Sequence, residues 1–319
     1  MEALGKILVI RGGAIGDFIL ALPVLAALRR QFPLAALEVL GYPHIVQLAL
    51  AGGLADHVRS IEARPLAGFF APHATLDREL ADYFAGFSLI ISYLFDPDAT
   101  FRVNVAKCSR AQFILGPHRP DEASNAHATD VFLQPLAKLG IINPDPIPQL
   151  RLNGGFASTA STKEVQRQNL SGGAAVLALH PGSGSERKNW PEEKWAEFAS
   201  RLSDVSDCRF LLVGGEAEGD RLTRLSARLP SERVELAQSL PLVDLAFRLR
   251  QCRAFVGHDS GISHLAAALG VPVLVLWGNT NQAVWRPRGD RVKIVQSGGR
   301  LEELPVQRVI EELATNHFG

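Results

Sequence analysis

Residues Phe255 to Leu276 constrain this chain more than any other stretch. Phe255-Val256-Gly257-His258 reads as a short buried strand. Asp259-Ser260-Gly261 is a tight polar turn, and Ile262 to Leu269 has the small apolar composition of a packed helix. Gly270 ends that helix, and Val271 to Leu276 is a further strand. A turn from the C-terminal end of a strand into a helix is where open α/β sheets hold ligands. The free N–H groups and partial positive charge of the helix start suit a phosphate. Ser260 and His264 lie four apart and share a helix face, and Gly261 lets a ligand approach the backbone. Asp259 would repel a phosphate directly, so it is expected to pair with Lys188 or to receive sugar hydroxyls. The plainer alternative is an Asp or Ser helix cap beside a half-buried histidine.

The same strand–turn–helix logic recurs along the chain. Lys6 to Arg11 (KILVIR) is an apolar strand. Gly12, Gly13, Gly16 and Asp17 form the turn after it, and a helix is expected from Asp17 to Gln31, kinked at Pro23. Further strands are expected at Ala36–Leu40, His57–Ile61, Ser88–Ser92 and Gln112–Leu115, with a helix at Leu80–Phe84. After residue 173 the pattern restarts. Strands are expected at Ala174–Leu179, Arg209–Val213 and Arg291–Val295, and helices at Glu192–Leu202 and Leu242–Gln251. An amphipathic helix carrying Val309, Ile310 and Leu313 closes the chain. Alternating strands and helices imply α/β architecture with parallel sheets. At 319 residues, two domains fit better than one. The Pro-, Ser- and Gly-rich run Asn143–Gly173 has linker composition. The expected division is 1–155, 172–300 and a C-terminal helix in 301–319, the last suited to packing back across the junction. Small ligands are expected in the cleft between such domains.

Composition excludes several classes. Formal net charge is zero, which gives no global footprint for nucleic acid. Arg102, Lys107, Arg110, His118 and Arg119 form a loose basic cluster. The first 150 residues nevertheless hold 12 Lys and Arg against 14 Asp and Glu, so these charges read as solvated surface. Cys108, Cys208 and Cys252 are isolated, so neither a disulfide framework nor a zinc site is indicated, and a reducing cytoplasm fits. His180, His258 and His264 have no metal-ligand spacing, and no metal is expected. Phe18–Leu28 is too short to span a bilayer and its charges are misplaced for a signal peptide. A cytoplasmic protein is expected, with peripheral contact at the inner membrane compatible with it.

Two loops could carry chemistry besides the opening turn. Gly12-Gly13-x-x-Gly16-Asp17 resembles a dinucleotide fingerprint, but Arg11 stands at its first glycine and Asp17 faces where a pyrophosphate would come. A nicotinamide site is therefore not expected. Asp17 either caps the helix or serves as a general base. His180-Pro181-Gly182-Ser183-Gly184-Ser185, continuing to Arg187 and Lys188, can surround a phosphate with hydroxyl and backbone donors. It is not a Walker A loop, since no glycine precedes Lys188 and Asn189 follows it. The alternative is a flexible polar loop before a helix that starts at Pro191.

Three segments together resemble glycosyltransferase family 9, the ADP-heptose:lipopolysaccharide heptosyltransferases. They are ILVIRGGAIGDFILALPVLAALRRQFP, LALHPGSGSERKNWPEEKWAEFASRL and FVGHDSGISHLAAALGVPVLVLWGNT. The resemblance implies a GT-B fold of two Rossmann-like α/β/α domains facing each other across a cleft, acceptor side N-terminal and nucleotide-sugar side C-terminal. It implies inverting, metal-independent transfer of heptose or a related sugar from an ADP-sugar, with no further cofactor, to a lipopolysaccharide-core or other glycan acceptor. Asp17 matches the family's base, in the turn with Gly12, Gly13 and Gly16. Lys188 matches the lysine on the donor phosphates, with Ser183 and Ser185 in the phosphate loop. Asp259, Ser260, Gly261 and His264 match the donor turn, and Glu216 the ribose position. Ser260 stands where many members have Thr, Asn279 replaces a usual Pro, and Asn189 stands where Arg is common. Two other classes fit the same residues: a GT-B nucleotide-sugar epimerase or hydrolase, which would need further acid/base carboxylates, and a non-catalytic nucleotide-sugar-binding protein, against which the retention of Asp17 and Lys188 speaks.

Overall fold

A computed structural model describes residues 5–153, 174–184, 188–298 and 300–315. The chain divides into two compact units, Met1–Asn153 and Gly154–Gly319. Most of the expected linker, and Ser185 of the phosphate loop, lie outside the described residues. The linker's first part does not behave as one. Leu150 and Leu152 are buried, and Asn153 N–H donates to the Ala51 carbonyl at 2.9 Å, so this stretch packs on the first unit.

The first unit runs β1 (Lys6–Arg11), α1 (Ile15–Ile19), α2 (Leu22–Gln31), β2 (Ala36–Gly41), α3 (Pro43–Ala51) and β3 (His57–Ser60). A 3-10 helix at Arg64–Phe70 follows, then α4 (Arg78–Ala85), β4 (Leu89–Ser92), α5 (Thr100–Ala106), β5 (Gln112–Leu115) and α6 (Ala128–Leu133). Its strands form one parallel sheet in the order β3-β2-β1-β4-β5. β1 is central and buried from Ile7 to Arg11, which explains its unbroken apolar run. On one face Leu8, Ile10, Leu40 and Ile90 pack against Phe69, Leu80, Phe84 and Phe101.

The helix expected from Asp17 to Gln31 is not continuous. α1 ends at Ile19 and α2 begins at Leu22, with Pro23 in its first turn. A proline there loses no hydrogen bond, because the first-turn N–H groups have no intrahelical partner. The break leaves α1 a short helix that carries Asp17 while burying Phe18 and Ile19 in the core.

The second unit runs β6 (Val176–His180), α7 (Glu192–Val205), β7 (Arg209–Gly214), α8 (Gly219–Ser226), β8 (Val234–Gln238) and α9 (Leu242–Leu249). It continues with β9 (Ala254–His258), α10 (Gly261–Ala268), β10 (Val273–Trp277), α11 (Gln282–Trp285), β11 (Val292–Gln296) and α12 (Val306–Ala314). The sheet is parallel in the order β11-β10-β9-β6-β7-β8. Trp190, Trp195 and Phe198 meet edge to face, with centroids 5.4 to 6.2 Å apart. Val306, Val309 and Leu313 of α12 join that cluster, so the closing helix packs on α7 within this unit. Trp190 Nε1 and Lys194 Nζ both donate to the Leu304 carbonyl, at 3.0 and 2.9 Å, and tie the entry of α12 to α7.

Candidate functional site

Each sheet has one place where strand order reverses. In the first unit the chain builds outward from β1 through β2 to β3, then restarts at β4 on the other side of β1. In the second it builds from β6 through β7 to β8, then restarts at β9 beside β6. Loops leaving the carboxyl ends of the strands at such a reversal diverge and leave a crevice. The Asp17 turn follows β1. The His180 loop and the Asp259 turn follow β6 and β9, which pair with His180 opposite Gly257. Two segments some 75 residues apart in sequence are thus neighbours because of topology, and no local pattern marks this pairing order.

In the first unit Asp17 is the third residue of α1. Its Oδ2 accepts from Ala14 N–H at 3.0 Å, half of a capping box. Gly13 has φ +102°, and a Cβ there would lie 2.9 Å from Asp17 Oδ2, so only glycine fits this turn. The other carboxylate oxygen, Oδ1, accepts from Arg11 Nη2 at 3.3 Å. Cap and candidate base are therefore one residue, with a side chain 30% exposed. Arg11 was not read as a partner, since nothing in the sequence links it to Asp17 beyond a charge ending an apolar strand. It is buried, stacks over the Phe132 ring at 4.4 Å and donates from Nη1 to the His118 carbonyl at 2.8 Å. Burial pushes its pKa below the ordinary arginine value, with Asp17 opposing the shift. A 330 Å³ cavity in the first unit runs along α2, lined by Pro23, Ala27, Arg29 and Arg30, and includes no residue of this turn.

In the second unit Lys188 Nζ lies 2.8 Å from Asp259 Oδ2. Pairing, rather than exposure to ligand alone, is what Asp259 does. The Asp259 side chain is 9% exposed and that of Lys188 is 40% exposed, so the ammonium keeps an open side while the carboxylate is held behind it. Ser260 caps α10, its Oγ accepting from Ser263 N–H at 3.4 Å and lying 3.2 Å from His180 Nδ1. Gly261 is the first residue of α10, and the His264 side chain is buried in its core-facing side. Ser183 donates to Asn189 Oδ1 at 2.7 Å and braces the loop internally. Glu216 is exposed in the turn after β7. Gly182 packs on Glu218, where a Cβ would come within 2.3 Å of Cγ. Asn189 also lines a 270 Å³ cavity with Gly278, Asn279 and Arg300.

His258 organises this loop, a role the sequence did not suggest. Its Nε2 accepts from Trp190 N–H at 2.8 Å, and its Nδ1 lies 3.2 Å from the Gly182 carbonyl. An amide can only donate, so Nε2 is the bare nitrogen and Nδ1 carries the proton that Gly182 receives. One neutral imidazole thereby pins both ends of the segment that bears Lys188. Burial holds His258 down to about 3 and His180 down to about 4. Their folded values lie below the ordinary 6.5, so the neutral forms stabilise the fold above that pH, and the contribution is lost as pH falls toward 4. Each histidine steepens the pH dependence of stability by up to about 1.4 kcal/mol per pH unit in that window. Urea melts between pH 7 and 4 should show His258→Gln with a shallower slope than wild type. An unchanged slope would mean His258 does not remain neutral.

Among the described residues no group of His, Cys, Asp and Glu could hold a metal ion. The described candidate residues are two charged pairs: Lys188 with Asp259 beside a helix start in one unit, and Asp17 with Arg11 in the other.

The family model of glycosyltransferase family 9 (heptosyltransferase) matches residues 116–312. The chain is 40% identical over 109 residues to lipopolysaccharide heptosyltransferase 1 of Pseudomonas aeruginosa, a match spanning 34% of this chain and 30% of that protein. Its fold is that of solved family structures. The glycosyl transferase family 9 protein from Veillonella parvula superposes with TM-score 0.79 at 18% identity, covering 99% of this chain and 98% of that one. The E. coli heptosyltransferase WaaC with ADP gives 0.72 at 18% identity, covering 98% and 99%.

Proposed function

Because the chain belongs to glycosyltransferase family 9, we propose that it transfers heptose, or a related sugar, from an ADP-activated donor to a lipopolysaccharide-core or other lipid-linked acceptor. The observation that carries this reading is Lys188, held by Asp259 beside the N-terminus of α10 at the β6/β9 reversal. A cation and a helix start together suit a diphosphate. The similarity to a heptosyltransferase solved with ADP supports adenine as the base.

The second unit is assigned the donor. Lys188 and the α10 N–H groups take the phosphates, with Ser183, Ser260 and Gly261 around them, and Glu216 takes the ribose hydroxyls. Asp259 aims Lys188, and His264 supports the turn from within. The first unit is assigned the acceptor, with Asp17 as base on the turn made by Gly12, Gly13 and Gly16. In one displacement the acceptor oxygen attacks the anomeric carbon as its bond to the β-phosphate oxygen breaks. The hydroxyl proton passes to Asp17, and ADP leaves with the bonding electrons. A single displacement inverts the anomeric centre. Charge growing on the β-phosphate meets Lys188 and the helix start, which stabilise it without calling on a metal. Such an enzyme would work at the cytoplasmic face of the inner membrane.

Thermal melts with ADP-, GDP- and UDP-sugars test the donor class. An ADP-sugar at a hundredfold its Kd stabilises by about 2.7 kcal/mol, a rise of about 5–10 °C for a unit of this size. A rise with UDP- or GDP-sugars and none with ADP-sugars would overturn the assignment.

A further inference from the structure

We propose that the exposed face of α5 in the first unit docks on an anionic lipid bilayer. Phe101, Asn104 and Val105 bury one side of α5, and Arg102, Val103, Ala106 and Lys107 stand exposed on the other. Large apolar side chains surround this face in the open: Phe95 is 67% exposed, Val103 53% and Phe70 42%. Scattered singly such residues would mean little, but here the packing gathers them. Asn104 Nδ2 donates to the carbonyls of Phe69 and Ala71, at 3.0 Å each, which fixes the 3-10 helix against α5 and stacks Phe70 on Phe101 at 4.9 Å. Asp96 accepts from the N–H groups of Phe101 and Arg102, at 3.1 and 3.0 Å, which sets Phe95 beside the start of α5. The Phe95 ring rests on His118 at 4.7 Å.

Charge selects the occupant. From Ala99 to Pro120 the sequence has Arg102, Lys107, Arg110 and Arg119 and no carboxylate. Arg119 is taken by Glu122 at 2.6 Å and Asp96 is turned into the helix start, so Arg102, Lys107 and Arg110 against one exposed carboxylate, Asp98, leave the face net positive. Exposed phenylalanines near long exposed cationic side chains match the boundary of a bilayer, with rings at the acyl edge and charges among anionic headgroups. The basic cluster that reads as solvated surface in the sequence gains this meaning from apolar neighbours that only the fold supplies. No described helix is long and apolar enough to cross a membrane, so the contact is peripheral. Phe95 follows β4 and Asp17 follows β1, and these strands are parallel neighbours, so the docking face and the carboxylate lie at the same sheet edge. A lipid-linked acceptor would be met on that side; the docking itself is read without any sugar and stands apart from the glycosyl-transfer assignment.

The full chain is sedimented with vesicles of phosphatidylethanolamine and phosphatidylglycerol, and separately with vesicles of phosphatidylcholine, with no nucleotide sugar present. Binding is expected to the anionic vesicles only, and to weaken with added salt. Two double variants, Phe95→Ser with Val103→Glu and Arg102→Ala with Lys107→Ala, should each partition more weakly by on the order of tenfold or more, with unchanged melting. Equal binding to both vesicle types, or variants that bind like wild type, would overturn the proposal. So would lipid-free wild type that sediments as a dimer split by Val103→Glu, which would assign the face to a second copy of the chain.

Discussion

The Asp17→Asn variant is expected to transfer sugar about 10²–10⁴-fold more slowly than wild type, the range a positioned general base contributes. The substitution is chosen from the geometry. Asp17 Oδ2 accepts from Ala14 N–H at 3.0 Å, and an asparagine oxygen can accept there too, so the start of α1 keeps its cap. What asparagine lacks is the capacity to take a proton from an acceptor hydroxyl. Its amide would also face Arg11 as a second donor, where the carboxylate accepted at 3.3 Å, so a modest loss of stability accompanies the larger loss of rate. The donor is assigned to the other unit, so ADP affinity by calorimetry should be unchanged. ADP release from ADP-heptose in the presence of a lipopolysaccharide-core acceptor is the rate to follow. A variant that transfers near the wild-type rate would remove Asp17 as the base and leave it as a cap alone. A variant that loses ADP binding as well would mean the substitution disturbs more than the proton transfer.

How much of this was legible beforehand depended on whether the cause was local. β1 and β5 were readable because KILVIR and QFIL are apolar runs closed by turn residues. α3 was not. Its sequence, PHIVQLALA, is apolar nearly all round and shows little of the contrast between faces that marks a helix, and Ile45, Val46, Leu48, Ala49 and Ala51 are all buried. β8 (VELAQ) was missed for the opposite reason, since as an edge strand it buries only Ala237 fully and so lacks an apolar run. The break between α1 and α2 follows from Pro23 preferring a first turn over a helix interior, and a kinked continuous helix was the weaker reading of the same residue. At the site, Asp17, Lys188 and the turn after β9 announce themselves by residue type beside a strand end. The partners that position them do not. Arg11 contacts the His118 carbonyl 107 residues away, and His258 reaches Trp190 across 68 residues and Gly182 across 76. Those contacts exist because the strand order places particular loops side by side, and no local pattern encodes that order.

Lys188→Ala should lower ADP affinity by on the order of a hundredfold or more, because it removes a charge-assisted partner and leaves another charge behind. Asp259 is the charge left. Its side chain is 9% exposed and its Oδ2 has Lys188 Nζ at 2.8 Å, so after truncation a nearly buried carboxylate would stand unbalanced beside an incoming diphosphate. Two penalties are then mixed in one number, the lost attraction and the new repulsion, and a second substitution separates them. Asp259→Asn in the Lys188→Ala background keeps the volume and removes the negative charge, so part of the lost ADP affinity should return. Asp259→Asn alone leaves the cation free to swing, and is expected to lower the transfer rate more than ADP affinity, since phosphate attraction survives while its aim is lost. Calorimetry with ADP on the three variants reads the affinities, and ADP release from ADP-heptose with an acceptor reads the rate of Asp259→Asn. Unchanged ADP affinity in Lys188→Ala would remove the lysine from the phosphate site. A double variant no better than Lys188→Ala would mean that Asp259 does not face the phosphates and acts only to orient Lys188.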